Sequence, residues 1–161
     1  MDFPFEIITE SVERTEEIGS KLTRLIMEDD TLPRFVAMYG DLGVGKTAFV
    51  RGFCSSLCPL STVKSPTFAL VNEYRCAENP INIKKVCHFD MYRVTDEDDL
   101  YSIGYDDYLE RDGYAIIEWS ENIEDELPTK LITVSIKRCD GNESQRKITV
   151  DHDGYAELFE E

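Results

Sequence analysis

The chain has 161 residues, 42% of them hydrophobic, which suits one globular domain with a sizeable core. Seventeen Lys and Arg against 33 Asp and Glu give a formal charge of −16, so the surface as a whole repels polyanions and disfavours direct contact with tRNA or DNA. The chain contains no apolar run of about 18 residues that could span a membrane, and its start, MDFPFEIITE, lacks a basic region followed by a long apolar one, so a cytoplasmic protein is expected. Cys54, Cys58, Cys76, Cys87 and Cys139 are odd in number, include no Cys-x-x-Cys pair, and are read as reduced thiols.

Residues 4–8 are apolar and extended, an edge strand. Ser11 can cap a helix on which Ile18, Leu22, Leu25 and Ile26 share one face. Residues 34–39 read as a strand running into Gly40, and residues 46–57 as a helix. Strands are expected over 68–75, after Pro66, and over 84–90. Thr95 to Asp98 has the spacing of a capping box before a short acidic helix, Gly104 interrupts, and residues 105–110 make another turn or two. The apolar run at 114–119 predicts a strand buried on both faces. Residues 130–138 and 145–150 flank Asp140-Gly141, a hairpin turn signal, and the last ten residues read as a loose acidic tail. With no repeat and no linker, residues 1–161 form one α/β domain of P-loop NTPase type. A mixed central sheet is flanked by helices and ends in a C-terminal hairpin.

The stretch GDLGVGKT, residues 40–47, carries the chemistry. Gly40-x4-Gly45-Lys46-Thr47 follows a strand and opens a helix, as a Walker A loop does. Gly40, Gly43 and Gly45 let the main chain of Asp41, Leu42, Val44 and Ala48 close on a phosphate, with N–H groups turned inward at a helix N-terminus. Lys46 adds a charge for the β- and γ-phosphates, and the Thr47 hydroxyl is placed to ligate Mg²⁺. Two strands end in an acid, Asp90 and Glu118, at the sheet edge where the loop lies. One would hold the metal and the other position water; periodicity does not assign which. His88 reads as a strand side chain rather than a ligand.

These motifs continue in order: Val63-Lys-Ser-Pro-Thr-Phe68, Leu70-Val-Asn-Glu-Tyr74, His88-Phe-Asp-Met-Tyr-Arg93 and Ile117-Glu-Trp119. Together they resemble the bacterial TsaE (YjeE) family, over roughly residues 11–131. The resemblance implies a slow P-loop ATPase using ATP and Mg²⁺ in threonylcarbamoyladenosine modification of tRNA. It also implies partners of the TsaB and TsaD type, which carry the tRNA and act on adenosine 37 of tRNAs reading codons that begin with A. By the same resemblance Thr67 belongs to a switch-like loop near the γ-phosphate and Asp90 is the essential acid. Glu118 joins Thr47 as a metal ligand, and Trp119 lies near the active site. The segment around Ser11 and Thr15 would border the adenine, although a helix cap explains Ser11 equally well. The acidic segment at 95–100 lacks a proline common in the family, and Ser120 follows the tryptophan at a variable position; neither touches a proposed ligand.

A stand-alone small-molecule kinase is the first competitor, but its usual arginine-rich lid is missing from nine scattered arginines. A GTPase would carry Asn-Lys-x-Asp, which is absent. A nucleotide-gated adaptor with negligible hydrolysis is the non-enzymatic alternative.

Overall fold

Seven strands hydrogen-bond into one sheet: β1 (Phe5–Thr9), β2 (Phe35–Tyr39), β3 (Val71–Arg75), β4 (Lys85–Asp90), β5 (Gly113–Glu118), β6 (Ile132–Cys139) and β7 (Asn142–His152). Their spatial order in this computed structural model, which describes residues 3–109 and 113–152, is β1-β7-β6-β2-β5-β4-β3. The central strands β4, β5, β2 and β6 run parallel. β3 pairs antiparallel with β4, β7 with β6, and β1 with β7. The sheet is thus mixed, with the expected hairpin turning at Gly141 and the expected edge strand at β1.

Helices α1 (Val12–Glu28) and α2 (Lys46–Leu57) cover one face; α3 (Glu97–Ser102), α4 (Tyr105–Leu109) and a 3₁₀ segment (Ser120–Glu126) cover the other. Burial on both sides explains why β2 reads FVAMY without alternation. Val36 and Met38 join Ile18, Leu22 and Phe53 in one apolar cluster, while Phe35, Ala37 and Tyr39 join Leu100 and Tyr105 in the other. Ser11 caps α1, its hydroxyl accepting from the Arg14 N–H at 3.1 Å.

Several expectations shift. β3 starts at Val71 rather than Phe68, because Leu70 adopts a left-handed conformation (φ 65°) and its N–H closes a turn onto the Pro66 carbonyl at 2.8 Å. The capping box before α3 moves by one residue: Asp96 caps the Asp99 N–H at 3.0 Å, and the Asp99 carboxylate accepts from the Thr95 N–H at 2.9 Å. Cys58 has a sulfur neighbour that spacing does not reveal, Cys76, at 3.4 Å. β7 runs on to His152; the rest of the expected tail, and Glu110, the last residue of the turn expected over 105–110, lie outside the described residues.

Candidate functional site

β2, β5 and β4 are adjacent and parallel, so their carboxyl ends meet at one edge of the sheet. The loop after β2 leads into α2, while β4 and β5 deliver Asp90 and Glu118 as direct register partners. Gly45 sits at the helix N-cap with φ 116°, a conformation that a Cβ would strain. Gly40 is required for a second reason: a Cβ there would lie 2.4 Å from the Ile136 carbonyl oxygen of β6.

Residues 42–48, Ser65, Thr67, Asp90, Tyr92, Glu118 and Trp119 line one cavity of about 290 Å³. Inside it the Thr47 hydroxyl lies 2.9 Å from Glu118 Oε1. Because a carboxylate accepts, the hydroxyl donates. The same Oε1 meets His88 Nε2 at 2.8 Å. Asp90 is held on both oxygens: Oδ1 accepts from the Tyr92 N–H at 2.9 Å and Oδ2 from the Ser65 hydroxyl at 3.2 Å. Ser65 in turn lies 2.8 Å from the Thr67 hydroxyl.

Lys46 is 4% exposed and its ammonium is cradled by the loop itself, donating to the carbonyls of Gly40 and Asp41. Burial pushes its pKa down, against the pull of Glu118, Glu121, Asp90 and Asp41. Trp119 follows β5 in a left-handed conformation (φ 60°) that is uncommon for a bulky residue. That turn sets its ring under Lys46 Nζ, 3.8 Å from the centroid, and 4.9 Å from the Tyr92 ring.

The structure therefore brings together Lys46, Thr47, Thr67, Asp90, Glu118 and Trp119 with Leu42, Gly43, Val44, Gly45 and Ala48. Gly40 and Asp41 lie beside this group, lining a neighbouring hollow with Arg138 and touching the site through their carbonyls to Lys46. Ser11 and Thr15 are not on the cavity wall. Thr15 is buried, with its hydroxyl 3.0 Å from that of Thr9.

Several residues of the site escape sequence reasoning. Arg138 donates to the Leu42 carbonyl at 3.1 Å and Arg146 to the Val44 carbonyl at 3.0 Å, so the C-terminal hairpin braces the loop from behind. No local pattern signals contacts about a hundred residues apart. Ser120 is buried, accepting from the Met38 N–H at 3.1 Å and donating to the Ile117 carbonyl at 3.0 Å, which ties β2 to the end of β5. His88 had a signal: a buried polar side chain inside an apolar strand needs partners.

Comparison with known proteins places this geometry. The family model for the threonylcarbamoyl adenosine biosynthesis protein TsaE matches residues 9–148. The tRNA threonylcarbamoyladenosine biosynthesis protein TsaE of Bacillus subtilis is 33% identical over 95% of this chain and 90% of its own length. That of Haemophilus influenzae is 37% identical over 76% of this chain and 75% of its own. The crystal structure of Bacillus subtilis YdiB superposes with a TM-score of 0.69 at 28% identity, covering 96% of this chain and 89% of that one. On the strength of that match along most of its length, the chain belongs to the TsaE family of tRNA threonylcarbamoyladenosine biosynthesis proteins.

Proposed function

We propose that this chain binds ATP with Mg²⁺ and hydrolyses it slowly, and that the cycle drives or resets a partner complex of TsaB and TsaD type in the modification of tRNA. The observation that carries the reading is the Thr47–Glu118 contact of 2.9 Å at the mouth of a glycine loop and a helix N-terminus, with Asp90 on the next strand. The donor set fits the metal: one hydroxyl and one carboxylate, all oxygen, as a small hard cation prefers. Bound Mg²⁺ would neutralise charge on the β- and γ-phosphate oxygens.

The remaining work falls to the chain. The loop amides and Lys46 hold the phosphates, and Thr47 and Glu118 hold the metal. Asp90, fixed by the Tyr92 N–H and Ser65, keeps a second lone pair on each oxygen with which to orient water or take its proton. Ser65 links that acid to Thr67, so the loop reaching for the γ-phosphate and the acid acting on water are one hydrogen-bonded unit.

Calorimetric titration with a non-hydrolysable ATP analogue, with and without Mg²⁺, tests binding, and phosphate release without any added acceptor tests hydrolysis. Lys46→Ala is expected to weaken binding by more than about tenfold through loss of a charge-assisted contact. Asp90→Asn is expected to lower turnover about 100-fold with affinity nearly kept. Added TsaB and TsaD should raise turnover. A wild-type chain that binds no nucleotide overturns the reading, and turnover indifferent to the partners removes that part of it.

A further inference from the structure

His88 is fully buried in the middle of β4, on the face that packs against α2, where an aliphatic side chain would serve the core equally well. Instead the imidazole makes two polar contacts in opposite directions. Nε2 lies 2.8 Å from Glu118 Oε1 and donates, since a carboxylate accepts. Nδ1 lies 3.1 Å from the Tyr74 hydroxyl. Tyr74, on β3 and 5% exposed, continues the line: its hydroxyl lies 3.0 Å from the Lys64 carbonyl and 3.2 Å from the Lys64 N–H. Lys64 immediately precedes Ser65, whose hydroxyl reaches Asp90. Two adjacent residues of one loop are thus tied to the two acids of the site, Lys64 to Glu118 through Tyr74 and His88, and Ser65 to Asp90 directly.

We propose that His88 and Tyr74 are positioning residues: His88 fixes the rotation of the Glu118 carboxylate, and Tyr74 ties that carboxylate to the main chain that presents Ser65 and Thr67. The proposal rests on the reading of Glu118 as a metal-holding acid. A group behind a metal ligand governs the ligand's orientation, and removing such groups costs about 10–100-fold in metal affinity. The Thr47 hydroxyl and His88 both grip the same oxygen, Oε1. With Oε1 held by His88, the plane of the carboxylate is set before any metal arrives.

Trp119 is the chain's sole tryptophan and lines the cavity, so its fluorescence reports events there. Mg²⁺ is titrated into the full chain saturated with a non-hydrolysable ATP analogue, and hydrogen exchange is followed at the amides of residues 64–70 in the metal-saturated state. Two variants split the imidazole. His88→Gln keeps an N–H near the position of Nε2, and His88→Asn keeps a polar group near Nδ1 only. His88→Asn is expected to raise the Mg²⁺ midpoint at least about tenfold, with His88→Gln within about threefold of wild type. A merely structural role moves both alike. Tyr74→Phe is expected to leave the midpoint within about threefold while the 64–70 amides exchange about tenfold faster or more. Equal midpoints for the two His88 variants, or unchanged exchange in Tyr74→Phe, overturn the proposal; should both His88 variants fail to fold, the Tyr74→Phe exchange decides it. A wild-type chain with no Mg²⁺ response takes down the nucleotide reading as well, whereas a responding wild type matched by every variant sinks the positioning claim alone.

Discussion

Glu121, in the 3₁₀ segment after β5, has its Oε2 atom buried and without a hydrogen-bond partner among the described residues. Burial pushes its pKa up; its own backbone N–H and the Lys46 charge pull it back, while Glu124 and Asp41 add to the rise. An acid whose folded pKa is raised keeps its proton at a pH where the unfolded chain has lost it, so stability falls as pH climbs from the ordinary glutamate value of 4.5 toward the folded one. Glu121→Gln escapes that loss. Because the group is only partly buried, solvent screening limits the gain to ~0.5 kcal/mol, a rise of about 2 °C in the melting temperature at pH 7. The two melting curves should converge near pH 4. A constant gap across that range would assign the difference to packing rather than to charge. Other polar groups at this end of the sheet, Asp90 and the Thr47–Glu118–His88 set, do find partners.

Helices α1 and α2 cross at two glycines. A Cβ on Gly52 would fall 1.8 Å from the Glu16 carbonyl oxygen, and one on Gly19 would fall 2.2 Å from that of Phe49. Both obstacles are main chain, so a methyl group can enter only by prising the helices apart. Gly52→Ala is expected to cost roughly 3 kcal/mol, read as a lower denaturant midpoint with an unchanged slope, while Ser56→Ala on the exposed side of α2 stays within about 0.5 kcal/mol. A Gly52→Ala chain melting like wild type would mean that the helices separate freely. This contact was not legible in the sequence, since nothing local tells a glycine at a helix crossing from one in a turn. Legibility followed range. The P-loop, α2 and the acids at the ends of β4 and β5 could be read because each is a local pattern with a chemical purpose. The start of β3 was misplaced because Leu70 breaks the strand by pairing back to Pro66. The Tyr74–His88–Glu118 line stayed hidden because it depends on which strands neighbour β4, and that is settled by topology.

At the scale of the whole molecule, the charge of −16 must be squared with work on a tRNA. The cations best grouped to meet a polyanion lie on the C-terminal hairpin, where Lys137 faces Lys147 and Arg138 faces Arg146 across the ladder. Like charges directly opposite destabilise a hairpin unless engaged elsewhere. Arg138 and Arg146 turn to the Leu42 and Val44 carbonyls, and Lys147 pairs with Glu6 at 3.1 Å. Three of these four cations are therefore engaged in bracing the phosphate loop and joining the edge strand, which leaves the exposed Lys137. Nucleic-acid affinity grows with the number of phosphates neutralised, and this surface has few cations to offer against many repelling acids. The isolated chain is expected to bind fluorescent tRNA no more tightly than about 100 μM at roughly 150 mM salt, while a mixture with the proposed TsaB and TsaD partners retains it. Micromolar binding by the chain alone, falling steeply with salt, would contradict this. Loss of that binding in a Lys137→Glu, Lys147→Glu double variant would then place the RNA on the hairpin, beside the very loop its arginines support.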